Sequence, residues 1–113
     1  MNDTVRNHSW GTEIVWAKRD QYCGKILVFP KANASTPMWL SSQGSCDWFV
    51  NAGSFTVTWI DTESGKIFQT ELKEGDVFSC DTMKPAKLTS LVDNSSVTEV
   101  GNRDTDVKLL TEN

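Results

Sequence analysis

The chain has 113 residues, the size of one domain and too few for two. Its 11 Lys and Arg against 15 Asp and Glu give a formal net charge of -4 without a basic stripe, which excludes nucleic acid as an expected partner. No apolar run approaches the ~20 residues that cross a bilayer, and residues 1–10 lack the features of a secretory signal, so we expect a cytoplasmic protein without a membrane partner.

Short runs of aromatic and β-branched residues recur along the chain between turn-forming clusters, a pattern typical of an antiparallel sandwich or barrel. Helical periodicity is almost absent. Strands are predicted at residues 12–17, 22–29, 36–41, 47–52, 54–61, 66–72, 77–80, 86–92 and 96–101. In the polar tail, order is expected only around residues 107–110. The sequence therefore predicts one all-β, antiparallel domain.

Two glycines carry the turn predictions. Gly65 offers a positive φ for a hairpin that returns strand 66–72 antiparallel to strand 54–61. Gly53 interrupts the run 47–61 and permits the sharp bend with which a strand turns a barrel corner.

Four segments carry a resemblance to a known family. They are Trp10-Gly11, YCGKIL at 22–27, DWFVNAG at 47–53 and EGDVF at 74–78. Together they resemble a small single-domain cupin, similar to the cupin domain of type II mannose-6-phosphate isomerases, over residues 10–99. The resemblance implies a double-stranded β-helix of the jelly-roll type at residues 10–101, a short segment before it and a tail at 102–113. It also implies a homodimer.

The resemblance further locates the positions at which a cupin holds a metal ion. Counted back from Gly53, the His, His and Glu positions of the first cupin motif fall on Trp39, Ser41 and Cys46. Counted from Gly75, the last His position falls on Ala86. Three imidazoles and a carboxylate suit a first-row divalent ion, whereas these four side chains do not. We therefore predict no metal and no other cofactor, since the one histidine of the chain, His8, precedes the barrel.

The replaced positions suggest packing in place of coordination. Trp39 and Ala86 have compensating volumes, so we expect the indole to fill much of the barrel mouth and to direct its N–H towards Ser41. Cys46 has two readings, a reactive thiol or an inert buried one. Lys25 is a candidate for the cation that a reactive thiol needs, if its strand points inward; the inert reading is the commoner one.

Strand parity places further residues. Trp48 shares the parity of Cys46 and Val50, so all three are expected to face the barrel interior. Phe49 is expected on the outer side, where it would help to cover a dimer interface.

The leading interpretation is a degenerate, metal-free cupin that acts as a small-molecule binding or structural module, with a carbohydrate as one candidate ligand. Its candidate binding residues are Trp39, Ser41, Cys46 and Ala86, with Lys25 and Trp48; no catalytic residue is assigned. The alternative is a sugar-phosphate or sugar-nucleotide enzyme that uses Lys25, Ser41 and Cys46 without a metal. A third interpretation is that the metal site has moved to the cysteine thiols.

Overall fold

The computed structural model describes residues 4–41, 45–80, 84–102 and 107–109, with only the backbone at 40–41 and 107–109. Eleven strands occur in these ranges, and they contain no α-helix. The strands are β1 Val5–His8, β2 Gly11–Lys18, β3 Cys23–Phe29, β4 Trp39–Ser41, β5 Cys46–Ala52, β6 Ser54–Ile60, β7 Ile67–Lys73, β8 Val77–Cys80, β9 Ala86–Ser90, β10 Ser95–Gly101 and β11 Val107–Leu109.

The strands form two sheets that close into a jelly-roll barrel. One sheet has six strands in the order β1-β2-β3-β10-β5-β8, and the other has five in the order β11-β4-β9-β6-β7. The strand pairings of the described residues are antiparallel. The all-β, antiparallel fold predicted from the sequence is confirmed.

Nine of the eleven strands coincide with predicted ones. The largest difference is at 36–41, where the regular strand begins only at Trp39. Pro37 cannot donate to a ladder, and Thr36 instead binds Leu88 through its backbone N–H and its hydroxyl oxygen. Strand β1 was not predicted, although it joins the six-stranded sheet at one edge.

Both glycine predictions are confirmed. The hairpin pairs β6 with β7 from Ser54↔Lys73 to Ile60↔Ile67, and Gly65 in its loop has a φ of 76°. Gly53 has a φ of 77° and lies where the chain leaves the six-stranded sheet for the five-stranded one. A side chain at this position would collide with Ser95. The corner therefore requires glycine both for its positive φ and for the space that Ser95 occupies.

The core lies between the inner faces of the two sheets. Phe29 of the six-stranded sheet meets Phe55 of the five-stranded sheet edge to face, with ring centroids 4.9 Å apart. Around them lie aliphatic side chains without solvent exposure, Leu27, Val50, Val57, Leu88 and Val97. Burial of one such side chain contributes ~1.5–3 kcal/mol, so the middle of the barrel is a packed core.

Candidate functional site

Two of the predicted site residues are neighbours on the five-stranded sheet. Trp39 of β4 lies directly opposite Ala86 of β9, and Ala86 lies opposite Trp59 of β6. Ala86 is 2% exposed, while both indoles are half-buried and pack against the core. Trp39 also meets the edge of Trp10, with centroids 6.2 Å apart. The small methyl of Ala86 thus lies between two tryptophans, and the side chain of Ser41 lies outside the described residues.

Aromatic contacts continue from Trp59 along the rim of the barrel. Its ring stacks on Phe68 with centroids 4.6 Å apart and meets Phe78 at 6.3 Å. The Lys84 ammonium lies 4.2 Å from the centroid of Trp59 and 4.9 Å from that of Phe78. We call Trp39, Trp59, Phe78 and Lys84 the aromatic rim. It combines apolar faces with one cationic group.

Cys46 lies on β5 of the six-stranded sheet, next to β8, the strand that carries Phe78. It faces the interior together with Trp48 and Val50, and it pairs directly with Cys80 of β8. A hydrogen bond with Cys80, burial and the carboxylate of Glu99 raise the pKa of the Cys46 thiol. Cys46 is therefore a protonated thiol at neutral pH, which does not favour its reading as a nucleophile.

Lys25 points inward, which the hypothesis of a reactive Cys46 thiol requires. Its ammonium, however, forms ion pairs with two carboxylates. Its Nζ lies 2.8 Å from Glu13 Oε2 and 3.9 Å from Glu99 Oε2. The three residues are 7%, 5% and 9% exposed, so this is a buried charged cluster inside the six-stranded sheet. We call Glu13, Lys25 and Glu99 the charged triad.

Hydrogen bonds link the charged triad to Trp48 at one end and to His8 at the other. Trp48 is 2% exposed and donates from Nε1 to Glu99 Oε1 at 2.8 Å. At the other end, His8 Nε2 lies 2.8 Å from Glu13 Oε1, and the His8 ring stacks on Trp10 at 4.7 Å. Burial alone would raise the pKa of Glu13, but Lys25, His8 and Arg6 outweigh it and hold that pKa below 4.5. Glu13 is therefore ionised at neutral pH.

His8 lies closer to the barrel than its position in the sequence suggested. Strand β1 pairs with β2 from Val5↔Ile14 to His8↔Gly11, which attaches the segment before residue 10 to the sheet. The imidazole contacts Glu13 of the charged triad.

The donor set does not fit the metal ion that cupins of the usual pattern hold. Trp39 and Ala86 offer no lone pair for coordination, which leaves the Cys46 sulfur as the one donor among the described side chains at these positions. In the part of the chain that the structure describes, no group of three or more His, Cys, Asp or Glu side chains is placed to hold an ion. The described side chains at these positions therefore do not reproduce the ligand set of a metal-binding cupin.

Sequence reasoning missed Glu13 and Glu99 as interior residues. No carboxylate is among the predicted site residues. A usable signal existed in strand parity, because Glu13 alternates with the buried Val15 and Glu99 with the buried Val97.

Solved structures share this fold at low sequence identity. Oxalate decarboxylase from Bacillus subtilis has a TM-score of 0.82 and 17% identity over 94% of this chain and 29% of its own. The capsular polysaccharide assembling protein CapF from Staphylococcus aureus has a TM-score of 0.79 and 13% identity over 96% of this chain and 34% of its own. Oxalate oxidase in complex with glycolate has a TM-score of 0.72 and 10% identity over 80% of this chain and 46% of its own.

These are cupin-fold proteins, and the chain spans less than half the length of each. The cupin-type jelly roll implied by the sequence resemblance is therefore confirmed as a fold. The finer similarity to mannose-6-phosphate isomerases stays a prediction. No protein-family model and no curated protein sequence matches the chain. Among the described residues, no helix is long and apolar enough to span a membrane.

Proposed function

We propose that the protein is a cupin-fold binding module that works without a metal ion and holds a small molecule with a sugar-like ring at the aromatic rim. The observation that carries the proposal is the paired row Trp39, Ala86 and Trp59. Two indoles lie on one face of the sheet, two strands apart, and two members of the row, Trp39 and Ala86, stand where the resemblance implies imidazoles. The Trp59 ring is held in place by Phe68, which stacks on it, and by the Lys84 ammonium over it.

The spacing of the row suits one ring-shaped ligand. Neighbouring strands lie ~4.8 Å apart, so the backbones of Trp39 and Trp59 are separated by about 10 Å. Ala86 lies between them in the row and is 2% exposed, while the two indoles are half-buried. Small-molecule sites are commonly apolar and aromatic with few polar groups, and Lys84 beside Trp59 supplies one such group.

A binding assay tests the ligand class. Ring-shaped sugars are titrated into the protein while saturation-transfer NMR monitors binding. Trp39→Leu and Trp59→Leu are expected to weaken binding about tenfold, the size of one aromatic contact. Trp16→Leu is the matched control. Trp16 lies against Gly24, is 53% exposed and is outside the aromatic rim. Absence of saturable binding, or an equal loss with Trp16→Leu, would contradict the proposal.

Metal content is tested separately on the same preparation. Elemental analysis of protein purified without chelators is expected to find only substoichiometric divalent metal. A stoichiometric ion that disappears in Cys46→Ser would instead support the thiol-based metal site and overturn the metal-free proposal.

The enzyme alternative has less support from the geometry. It needs Lys25 as a free cation near Cys46, but the Lys25 ammonium lies 2.8 Å from Glu13, and the thiol stays protonated. The similarity to CapF, whose name refers to polysaccharide assembly, concerns the fold alone.

We further propose that the protein works as a homodimer in the cytoplasm. Phe49 of β5 and Val77 of β8 lie directly opposite each other and are 45% and 57% exposed, which forms an apolar patch on the outer face of the six-stranded sheet. The cysteines Cys23, Cys46 and Cys80 are free thiols, the form that a reducing compartment maintains.

A further inference from the structure

Two thiols meet at the ends of β5 and β8. Cys46 and Cys80 are directly opposite in the antiparallel ladder, and their strand parity turns both to the interior. Trp48, two residues after Cys46, is paired in the same way with Phe78, two residues before Cys80, and their ring centroids are 6.1 Å apart. Cys80 is also the largest cause of the raised pKa of the Cys46 thiol, as expected for two neighbouring sulfur atoms. The geometry thus brings two sulfur atoms together inside one end of the barrel.

The same register fits the dimensions of a disulfide. Directly opposed residues in an antiparallel pair have Cα atoms about 4.5–5.5 Å apart and Cβ atoms about 4.5–5.5 Å apart. Disulfides accept Cα separations of about 4.4–6.8 Å and Cβ separations of about 3.5–4.5 Å. A closing movement of about 1 Å between two short strand ends therefore completes the bond.

We propose that Cys46 and Cys80 form a site of reversible disulfide modification, which a small-molecule disulfide such as oxidised glutathione converts from two thiols to one S–S bond. This inference is independent of the proposed ligand.

The register also selects the pair among three cysteines. Cys23 lies in the same row, since it pairs with Gly101, which in turn pairs with Cys46. One whole strand therefore separates Cys23 from Cys46, about 10 Å, which exceeds the reach of a disulfide. Cys80 lies one strand further away, so only the bond between Cys46 and Cys80 fits the folded chain.

The exchange proceeds in two steps. Cys46 is the more exposed thiol, so it is the one that oxidised glutathione reaches. Its raised pKa leaves only a small thiolate fraction, so the first attack is slow; the thiolate attacks one sulfur of the glutathione disulfide, a mixed disulfide forms and one glutathione leaves. Cys80 then loses its proton and attacks the Cys46 sulfur, and the second glutathione leaves. The protein loses two electrons and two protons, and one glutathione disulfide becomes two glutathione thiols.

The bond has a consequence for the fold. It closes a loop that contains β6, β7 and the hairpin between them, and this constrains the unfolded chain. It also ties down β8, whose Phe78 belongs to the aromatic rim. We expect the oxidised protein to melt at least ~5 °C above the reduced protein.

The experiment incubates the native protein with oxidised glutathione and maps its peptides by mass spectrometry without reduction. The expected product is a single linked pair, Cys46 with Cys80, which excess reduced dithiothreitol reverses. In the same treatment under denaturing urea, pairs that include Cys23 should also appear. A native product dominated by Cys23 linkages, or free thiols throughout, would overturn the proposal.

Serine variants separate selectivity from folding defects. Cys23→Ser should retain the disulfide and its melting shift, whereas Cys80→Ser should stop at the mixed disulfide on Cys46 and show no shift. Circular dichroism of the reduced variants establishes that each is folded before oxidation. An equal melting shift in oxidised Cys80→Ser would show that the shift does not come from this bond.

Discussion

Replacement of Lys25 by methionine removes the one positive charge at the centre of the charged triad and keeps most of the side-chain length. The ammonium lies 2.8 Å from Glu13 and 3.9 Å from Glu99, and all three residues are less than a tenth exposed. In Lys25→Met the two carboxylates remain inside the sheet. Glu13 retains Arg6 and His8, while Glu99 retains the Trp48 N–H.

The expected loss follows from the burial of these charges. Removal of one partner from a buried ion pair costs about 3–5 kcal/mol, because the remaining charge stays buried without its main partner. Domains of this size unfold at about 5–15 kcal/mol, so Lys25→Met should remove a large share of the stability at neutral pH.

The loss should shrink in acid, with a sign that follows from Glu13. In the wild type the pKa of Glu13 is lowered, so the cluster stabilises the fold above the unfolded pKa of 4.5, and the stabilisation falls as the pH drops through the folded pKa. Without Lys25 the largest lowering contribution is gone and burial raises the pKa of Glu13. Protonation of Glu13 in acid then removes its buried charge in the variant. The loss of unfolding free energy in Lys25→Met is therefore largest at neutral pH and smaller near pH 4.

Urea unfolding of both proteins at neutral pH and near pH 4 measures these differences. Lys66→Met serves as the control, since Lys66 is exposed in the hairpin loop and should change stability by less than about 0.5 kcal/mol. Addition of Glu13→Gln to Lys25→Met should recover part of the loss. A deficit below about 1 kcal/mol, or one that is equal at both pH values, would refute an electrostatic role for Lys25.

Two further perturbations test the corner and the dimer. Gly53→Ala should cost about 2 kcal/mol or more in urea unfolding, because a positive φ and the collision with Ser95 act together; Gly65→Ala has the positive φ in open space and should cost about 1 kcal/mol. Equal costs would show that the contact with Ser95 contributes nothing. Phe49→Asp places a charge in the patch beside Val77 and should convert the proposed dimer to a monomer in light scattering. A wild-type mass of one chain would overturn the homodimer.

The features that sequence predicted well are those set by neighbours along the chain. Alternating apolar residues and turn-forming residues located nine strands, and a glycine four residues into a loop identified the hairpin. The edge strand β1 was not predicted because its residues are largely exposed and show no apolar alternation. It forms through its pairing with β2. The site residues taken from motif spacing came together in part, since Trp39 and Ala86 are directly paired.

What the sequence did not predict depends on which strands lie side by side. Parity alone places Lys25 inside, next to Leu27, but it does not say which side chain receives the ammonium. That depends on β10, which returns from the far end of the chain and lies between β3 and β5, so that Glu99 pairs with Lys25 on one side and with Trp48 on the other. The pairing of Cys46 with Cys80 has the same origin. The polar contacts inside this barrel therefore follow rows across the sheet, and a motif read along the chain cannot reveal them.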